Sequence, residues 1–139
     1  MARPSANAPC PCGSLRKAKG CCLPVLLGAP PPSPEALMRS RYTAYAVGDT
    51  AHLIRTTHPA SPHRQADVRA WAEELRQYCA AVRFVGLTVH AASEEGDTGR
   101  VRFYARMTLD GRDVSFGEDS RFSRVDGRWT YVDGERIEG

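Results

Sequence analysis

The sequence predicts an α+β fold with a small cysteine finger at its N-terminus, and three observations lead there. Four cysteines stand in two close pairs, Cys10-x-Cys12 and Cys21-Cys22. Capped segments of helical periodicity follow them, and from Arg83 the apolar period changes from 3.6 to 2. Helices first and antiparallel strands afterwards form an α+β arrangement, in which a curved sheet can wrap around the helices.

The first helix starts at Ser33-Pro34-Glu35, which supplies a capping hydroxyl, a proline at the first helical position and an acid at the positive end of the helix dipole. It runs to Val47, where Gly48 stops it. Asp49 caps a short second helix that ends before Pro59. A third helix, about Asp67 to Ala81, places Val68, Trp71, Ala72, Leu75, Tyr78, Cys79 and Val82 on one apolar stripe.

Alternation then sets four strands. Val85, Leu87 and Val89 share one face of the first strand. Val101, Phe103, Ala105, Met107 and Leu109 share one face of the second, with Arg100, Arg102, Tyr104 and Arg106 opposite. Asp110-Gly111 and Asp126-Gly127 are hairpin turns that bound a third strand, about Arg112 to Val125, and a fourth, about Arg128 to Asp133.

At 139 residues, 42% hydrophobic and 25% charged, the chain has the size and composition of a soluble globular protein. No apolar run approaches the roughly 20 residues that span a bilayer. Residues 1–8 hold one arginine with no apolar stretch after it, and Val25-Leu26-Leu27 is too short for a secretory core, so the cytoplasm is the expected compartment. Three parts are expected: a finger with its tail over 1–27, a proline-rich connector over 28–33 and the α+β domain over 34–139. The net charge of +3 is unevenly spread, since residues 1–33 hold Arg3, Arg16, Lys17 and Lys19 without an acid.

Cys10, Cys12, Cys21 and Cys22 supply four soft ligands within a short loop, with Gly13 and Gly20 permitting tight backbone around one tetrahedral Zn²⁺. Four thiolates close the coordination sphere, so such an ion is structural and leaves no position for substrate. Adjacent cysteines pair only with strain, and cytosolic thiols stay reduced, which disfavours disulfides. Arg16, Lys17 and Lys19 read first as neutralisers of the thiolate charge and second as a partner-contact patch. Cys79 falls in the helical stripe and reads as a buried structural thiol.

Cys-Pro-Cys-Gly-Ser14, a basic stretch and Cys21-Cys22 resemble the SEC-C motif, the zinc finger that also ends the bacterial secretion ATPase SecA. The departure is Leu15, where that motif usually has glycine; every ligand is spared. Ser33 to Tyr45, Thr57-His58-Pro59, Phe84 to Leu87, Ser120-Arg121-Phe122 and Gly127 to Gly134 are similar to the bacterial YchJ family. That resemblance implies a SEC-C finger on a domain similar to nuclear transport factor two (NTF2-like, with the cystatin-like architecture), a cone of helices wrapped by a curved sheet. It implies no established activity. Members usually carry His-Glu where this chain has Gly117-Glu118, so a histidine-carboxylate pair is missing here.

Glu118 shares a strand face with Val114, Phe116, Ser120 and Phe122, which points a carboxylate inward among apolar side chains. There it needs a partner or a raised pKa. Arg41, on the helical stripe with Leu37 and Tyr45, and His58 are the candidate partners. A buried Arg-Glu bridge fixing helix to sheet is weighed against a pocket formed by Arg41, Tyr45, His58, Trp71 and Glu118. Arg100, Arg102 and Arg106 read as a solvated face, and Trp71, Tyr78 and Trp129 as packing.

The leading expectation is a zinc-dependent adaptor whose finger docks a protein, such as a chaperone or a ribosomal surface, while the α+β domain binds a small ligand or forms a homodimer. The alternative is an enzyme or ligand-binding protein working in the domain's cavity, lined by Tyr45, Trp71 and Glu118. Nucleic-acid contact through Arg16, Lys17 and Lys19 ranks last, because three bases without interleaved aromatics are few.

Overall fold

Ser33, Asp49 and Asp67 each turn a side-chain oxygen onto the start of a helix. In a computed structural model of the chain, which describes residues 3–137, Ser33 accepts from the Ala36 N–H at 3.0 Å, Asp49 from that of His52 at 3.1 Å and Asp67 from that of Ala70 at 3.1 Å. A cap of this kind satisfies an otherwise unpaired backbone donor and is worth about 1 kcal/mol. The finger contributes a 3-10 turn, Ala18–Gly20, and a short helix α1, Cys22–Leu26; the three capped helices follow as α2, Pro34–Val47, α3, Thr50–Arg55, and α4, Val68–Ala81. Gly48 ends α2 in the left-handed region at φ 81°. None of the described helices is long and apolar enough to cross a membrane.

Five strands form one antiparallel sheet: β1, Val82–Glu95, β2, Thr98–Leu109, β3, Arg112–Asp113, β4, Phe116–Val125, and β5, Arg128–Ile137. Their order is β1-β2-β4-β5, with β3 paired to the end of β2. Both Asp-Gly pairs have positive φ at both residues, 50° and 78° at Asp110-Gly111 and 52° and 78° at Asp126-Gly127, as a tight hairpin turn of type I′ requires. The loop after α3 covers the outer edge of β5: Tyr131 donates its N–H to the Thr56 carbonyl at 2.8 Å, and its carbonyl accepts from the His58 N–H at 2.8 Å.

The strands depart from the expected pattern in three places. The third expected strand divides, because Ser115 Oγ accepts from the Met107 N–H at 2.9 Å and replaces a backbone ladder bond. β5 continues to Ile137 instead of stopping at Asp133. A register shift between Phe84 and Gly86 makes Val85 an extra, unpaired residue, so it turns outward and is 55% exposed while Phe84 and Leu87 turn in. Similar irregularities, with His90 extra in β1 and Val132 extra in β5 opposite Arg121 and Phe122, bend the sheet around the helices.

The finger is not held away from the helices and sheet. Cys10, Cys12, Ala18 and Cys22 belong to the same buried cluster as Leu37, Met38 and Tyr42 of α2 and Leu87 of β1. A polar chain reinforces this seam. Arg55 Nη2 donates to the Leu26 carbonyl at 3.3 Å and to His52 Nδ1 at 2.7 Å, and His52 Nε2 lies 2.9 Å from Ser40 Oγ. A guanidinium only donates, so Nδ1 is the acceptor and His52 is the neutral Nε2–H tautomer, donating to Ser40, which donates in turn to the Leu37 carbonyl at 2.9 Å. Burial, and then the positive charges of Arg55 and Arg41, lower the His52 pKa to about 3.

Candidate functional site: a cysteine cluster and an aromatic cavity

All five cysteines have free thiols. The finger loop folds back on itself, with Cys10 N–H bonded to the Arg16 carbonyl at 2.8 Å and Gly13 N–H to the Cys10 carbonyl at 3.1 Å. This brings the sulfurs of Cys10, Cys12, Cys21 and Cys22 within 4.8 Å of one another, three of these residues being buried. Together these four residues could hold one metal ion. Hydrogen bonding among the sulfurs lowers the Cys10 pKa and raises that of Cys22, the sharing of protons expected when like ligands crowd one site.

Outer groups hold these sulfurs. Ser14 Oγ is 3.1 Å from the Cys21 sulfur, Arg16 Nη2 is 3.7 Å from it and Arg39 Nη1 is 3.8 Å from that of Cys12. Arg16 thus lies against the Cys21 sulfur, while Lys17 and Lys19 are exposed beside it. Leu15 occupies the left-handed region at φ 72° and is 92% exposed. That backbone is why glycine suits the position.

Between the helices and the concave face of the sheet lies a cavity of about 790 Å³, to which α2, α3, α4, β1, β2, β4 and β5 all contribute side chains. Its walls are largely aromatic. Tyr45, Tyr78 and Phe84 form a triangle with centroids 5.9 to 6.3 Å apart, and Phe103 meets Phe116 edge-on at 6.0 Å. Four of its lining residues, His63, Glu74, Tyr78 and Arg136, are exposed and mark the mouth.

Glu118 points inward with a side chain only 13% exposed. Its Oε2 accepts from Ser120 Oγ at 2.6 Å and from Tyr131 Oη at 3.0 Å, and its Oε1 lies 3.8 Å from Arg136 Nε. Neither partner expected from the sequence reaches it. Arg41 donates through Nη1 to the Leu53 carbonyl at 3.0 Å and to Thr56 Oγ1 at 2.8 Å, and its guanidinium carbon lies 4.7 Å from the centroid of the Tyr131 ring. Tyr131 therefore separates the Arg41 and Glu118 side chains. Burial first, and then Glu118, push the Tyr131 pKa well up, so its hydroxyl stays protonated and donates.

Of the expected pocket residues, Arg41, Tyr45, Trp71 and Glu118 line the cavity, whereas His58 does not. His58 instead accepts at Nδ1 from the Ala60 N–H at 2.9 Å, a local turn bond. The histidine at the cavity is His63, stacked on Tyr131 with centroids 5.9 Å apart. His63, Ser120, Tyr131 and Arg136 went unrecognised as pocket residues. The alternation that turned Glu118 inward also placed Ser120, so that one was within reach of the pattern.

Other singled-out residues serve packing and charge balance. Arg100 and Arg102 meet Asp119 at 3.2 and 3.7 Å, and Arg106 donates to Thr88 at 3.4 Å on the outer sheet face. Trp129 is buried beneath Arg124, whose guanidinium lies 4.5 Å from its ring. Cys79 is half-buried and its thiol is pushed up to about 11 by burial.

Comparison with known proteins follows the same outline. The family model described as "YchJ, middle NTF2-like domain" matches residues 33–134. A UPF0225 protein of Deinococcus radiodurans is 42% identical over 127 residues, covering 90% of this chain and 87% of that protein. The solution structure of a SEC-C motif containing protein from Rhodopseudomonas palustris superposes with a TM-score of 0.80 at 36% identity, over 94% of this chain and all of the other. A SEC-C motif containing protein from Psychrobacter arcticus shares the fold, with a TM-score of 0.77 at 20% identity over 96% of this chain and 85% of that one. The chain belongs to the YchJ family, also designated UPF0225, with a SEC-C-type cysteine cluster preceding an NTF2-like α+β domain.

Proposed function

We propose that the chain is a zinc-stapled small-ligand-binding protein, in which the ion fixes the finger to α2 and β1 and the cavity receives the ligand. The cavity carries this reading. Its volume of about 790 Å³ falls in the range typical of small-molecule sites, and its apolar walls surround a few convergent polar groups, Arg41, Glu118, Ser120 and Tyr131.

Zinc suits the cysteine set on geometric grounds. A tetrahedral ion with Zn–S bonds of about 2.3 Å requires sulfurs roughly 3.8 Å apart. The Cys12–Cys21 and Cys21–Cys22 sulfur separations are 3.6 and 3.9 Å. With four protein ligands the ion supplies folding energy, and the chemistry of the cavity is left to the chain's own residues.

Titration of the zinc-loaded chain with N-phenyl-1-naphthylamine, an uncharged fluorescent probe of apolar sites, tests the cavity. Saturable binding at one probe per chain is expected, with at least tenfold weaker binding to Leu75→Trp, which fills the cavity from α4. Equal binding by the variant and the wild type, or none by either, would contradict the reading.

A second reading, in which the finger docks a protein partner, is favoured by Leu15. An exposed leucine held in a backbone conformation that disfavours it, beside exposed Arg16, Lys17 and Lys19, is an arrangement better suited to contact than to stability. Pull-down by the full chain, compared with a Leu15→Gly variant, tests it: equal capture of partners by both would remove the leucine from any such role.

A further inference from the structure

Arg41 is 8% exposed, yet among the described residues no carboxylate pairs with it. Its hydrogen bonds all leave from Nη1, to the Leu53 carbonyl, Thr56 Oγ1 and Thr57 Oγ1. Tyr131 covers the face of the guanidinium. What remains is the planar edge formed by Nε and Nη2, the two parallel donors that match a carboxylate. Among the described residues no fully buried side-chain nitrogen or oxygen lacks a partner, so Nε and Nη2 keep some accessible surface, and Arg41 lines the cavity.

None of the other charged groups at the cavity pairs with its free edge. Glu118 is engaged by Ser120, Tyr131 and Arg136, and Glu74 accepts from Gln65 at 3.2 Å at the rim. An inward cation with neutral partners and an unused bidentate edge is costly unless something anionic completes it. We infer that the ligand of this cavity carries a carboxylate, bound side-on by Nε and Nη2 of Arg41, on an apolar or aromatic body packed against the Tyr45, Phe84 and Trp71 walls. This rests on the ligand-binding reading above and narrows its chemical class. A single monoanion fits better than a phosphate dianion, because the cavity offers one free guanidinium edge.

The test displaces the neutral fluorescent probe from the zinc-loaded chain with indole-3-acetate and, separately, with indole-3-acetamide, which has the same shape without the charge. The acid is expected to compete at least tenfold more strongly in the wild type. Arg41→Gln should bring the two within about twofold while still binding the neutral probe. Arg41→Lys, which keeps the charge and loses the fork, should fall between them. Should the arginine variants not fold, the wild-type ratio of acid to amide decides alone. Equal competition by acid and amide in a wild type that binds the probe would overturn the carboxylate inference and leave the cavity reading standing. No probe binding to the wild type would overturn both.

Discussion

Arg39 of α2 donates from Nη1 to the carbonyl of Cys12 at 3.0 Å, across the seam between the finger and the helices. The same guanidinium is tied by Nε to Glu35 at 3.0 Å, one helical turn back. Through this bond and the shared apolar cluster, whatever holds the cysteine loop also holds α2, and with it one wall of the cavity.

Metal loss should therefore be felt beyond the finger. Cys12 is fully buried in the main core, so Cys12→Ser is expected to abolish stoichiometric zinc and to lower the melting temperature of the whole chain by more than about 10 °C, at roughly 4 °C per kcal/mol for a domain of this size. Metal analysis and calorimetry read the two effects together. An unchanged melting transition in the zinc-free variant would show that the finger is energetically separate.

Acid should weaken the fold through His52. Its pKa in the folded chain is lowered to about 3, below the unfolded value of about 6.5. The unfolded chain thus binds the extra proton first, and the stability due to neutral His52 is present above about pH 6.5 and lost as the pH falls toward 3. Between pH 6.5 and 5 the loss reaches up to about 1.4 kcal/mol per pH unit. Urea unfolding of the wild type should show this slope, and His52→Gln, less stable at pH 7, should lack that part of it. Parallel pH profiles for the two proteins would count against the assignment.

Gly134 leaves room for the Glu118 carboxylate: a Cβ added there would collide with Oε2. Gly134→Ala should push Glu118 off Ser120 and Tyr131 at a cost of about 1–3 kcal/mol. In a Glu118→Ala background the same change should cost less, with a coupling of at least about 0.5 kcal/mol in the double-mutant cycle. Additive costs would mean that the two positions do not meet.

Leu15→Gly should stabilise the finger by about 1 kcal/mol, because it relieves a left-handed backbone and removes a side chain that is 92% exposed. Zinc-dependent melting curves would show the gain; a loss would mean that Leu15 packs in solution.

Much of this architecture was legible because it is set by local chemistry. The Ser33, Asp49 and Asp67 caps, the Gly48 stop and both Asp-Gly turns are choices made within a few residues, and the cysteine spacing carries its own geometry. Legibility ended where the outcome depends on distant partners. The bulge at Val85 is a matter of pairing with β2, so alternation alone put that side chain on the wrong face. Glu118 could be turned inward from its strand, but the residue facing it came from β5, not from α2, and the ring of Tyr131 then filled the space a direct Arg41 bridge needed. His58 and His63 flank one short loop, and only the closure of that loop on Tyr131 decides which ring meets the cavity. The proline-rich segment after the finger reads as a connector, yet Cys10, Cys12 and Cys22 ahead of it are buried with Leu37 and Met38.

The occupancy of the cavity is the central claim, and two methionines report on it directly. Met38 and Met107 line the cavity from α2 and β2. In ¹³C-methyl-methionine NMR spectra of the zinc-loaded chain, both methyl resonances should shift progressively and saturate as N-phenyl-1-naphthylamine is added. Methyl resonances that stay in place at excess probe would contradict the account.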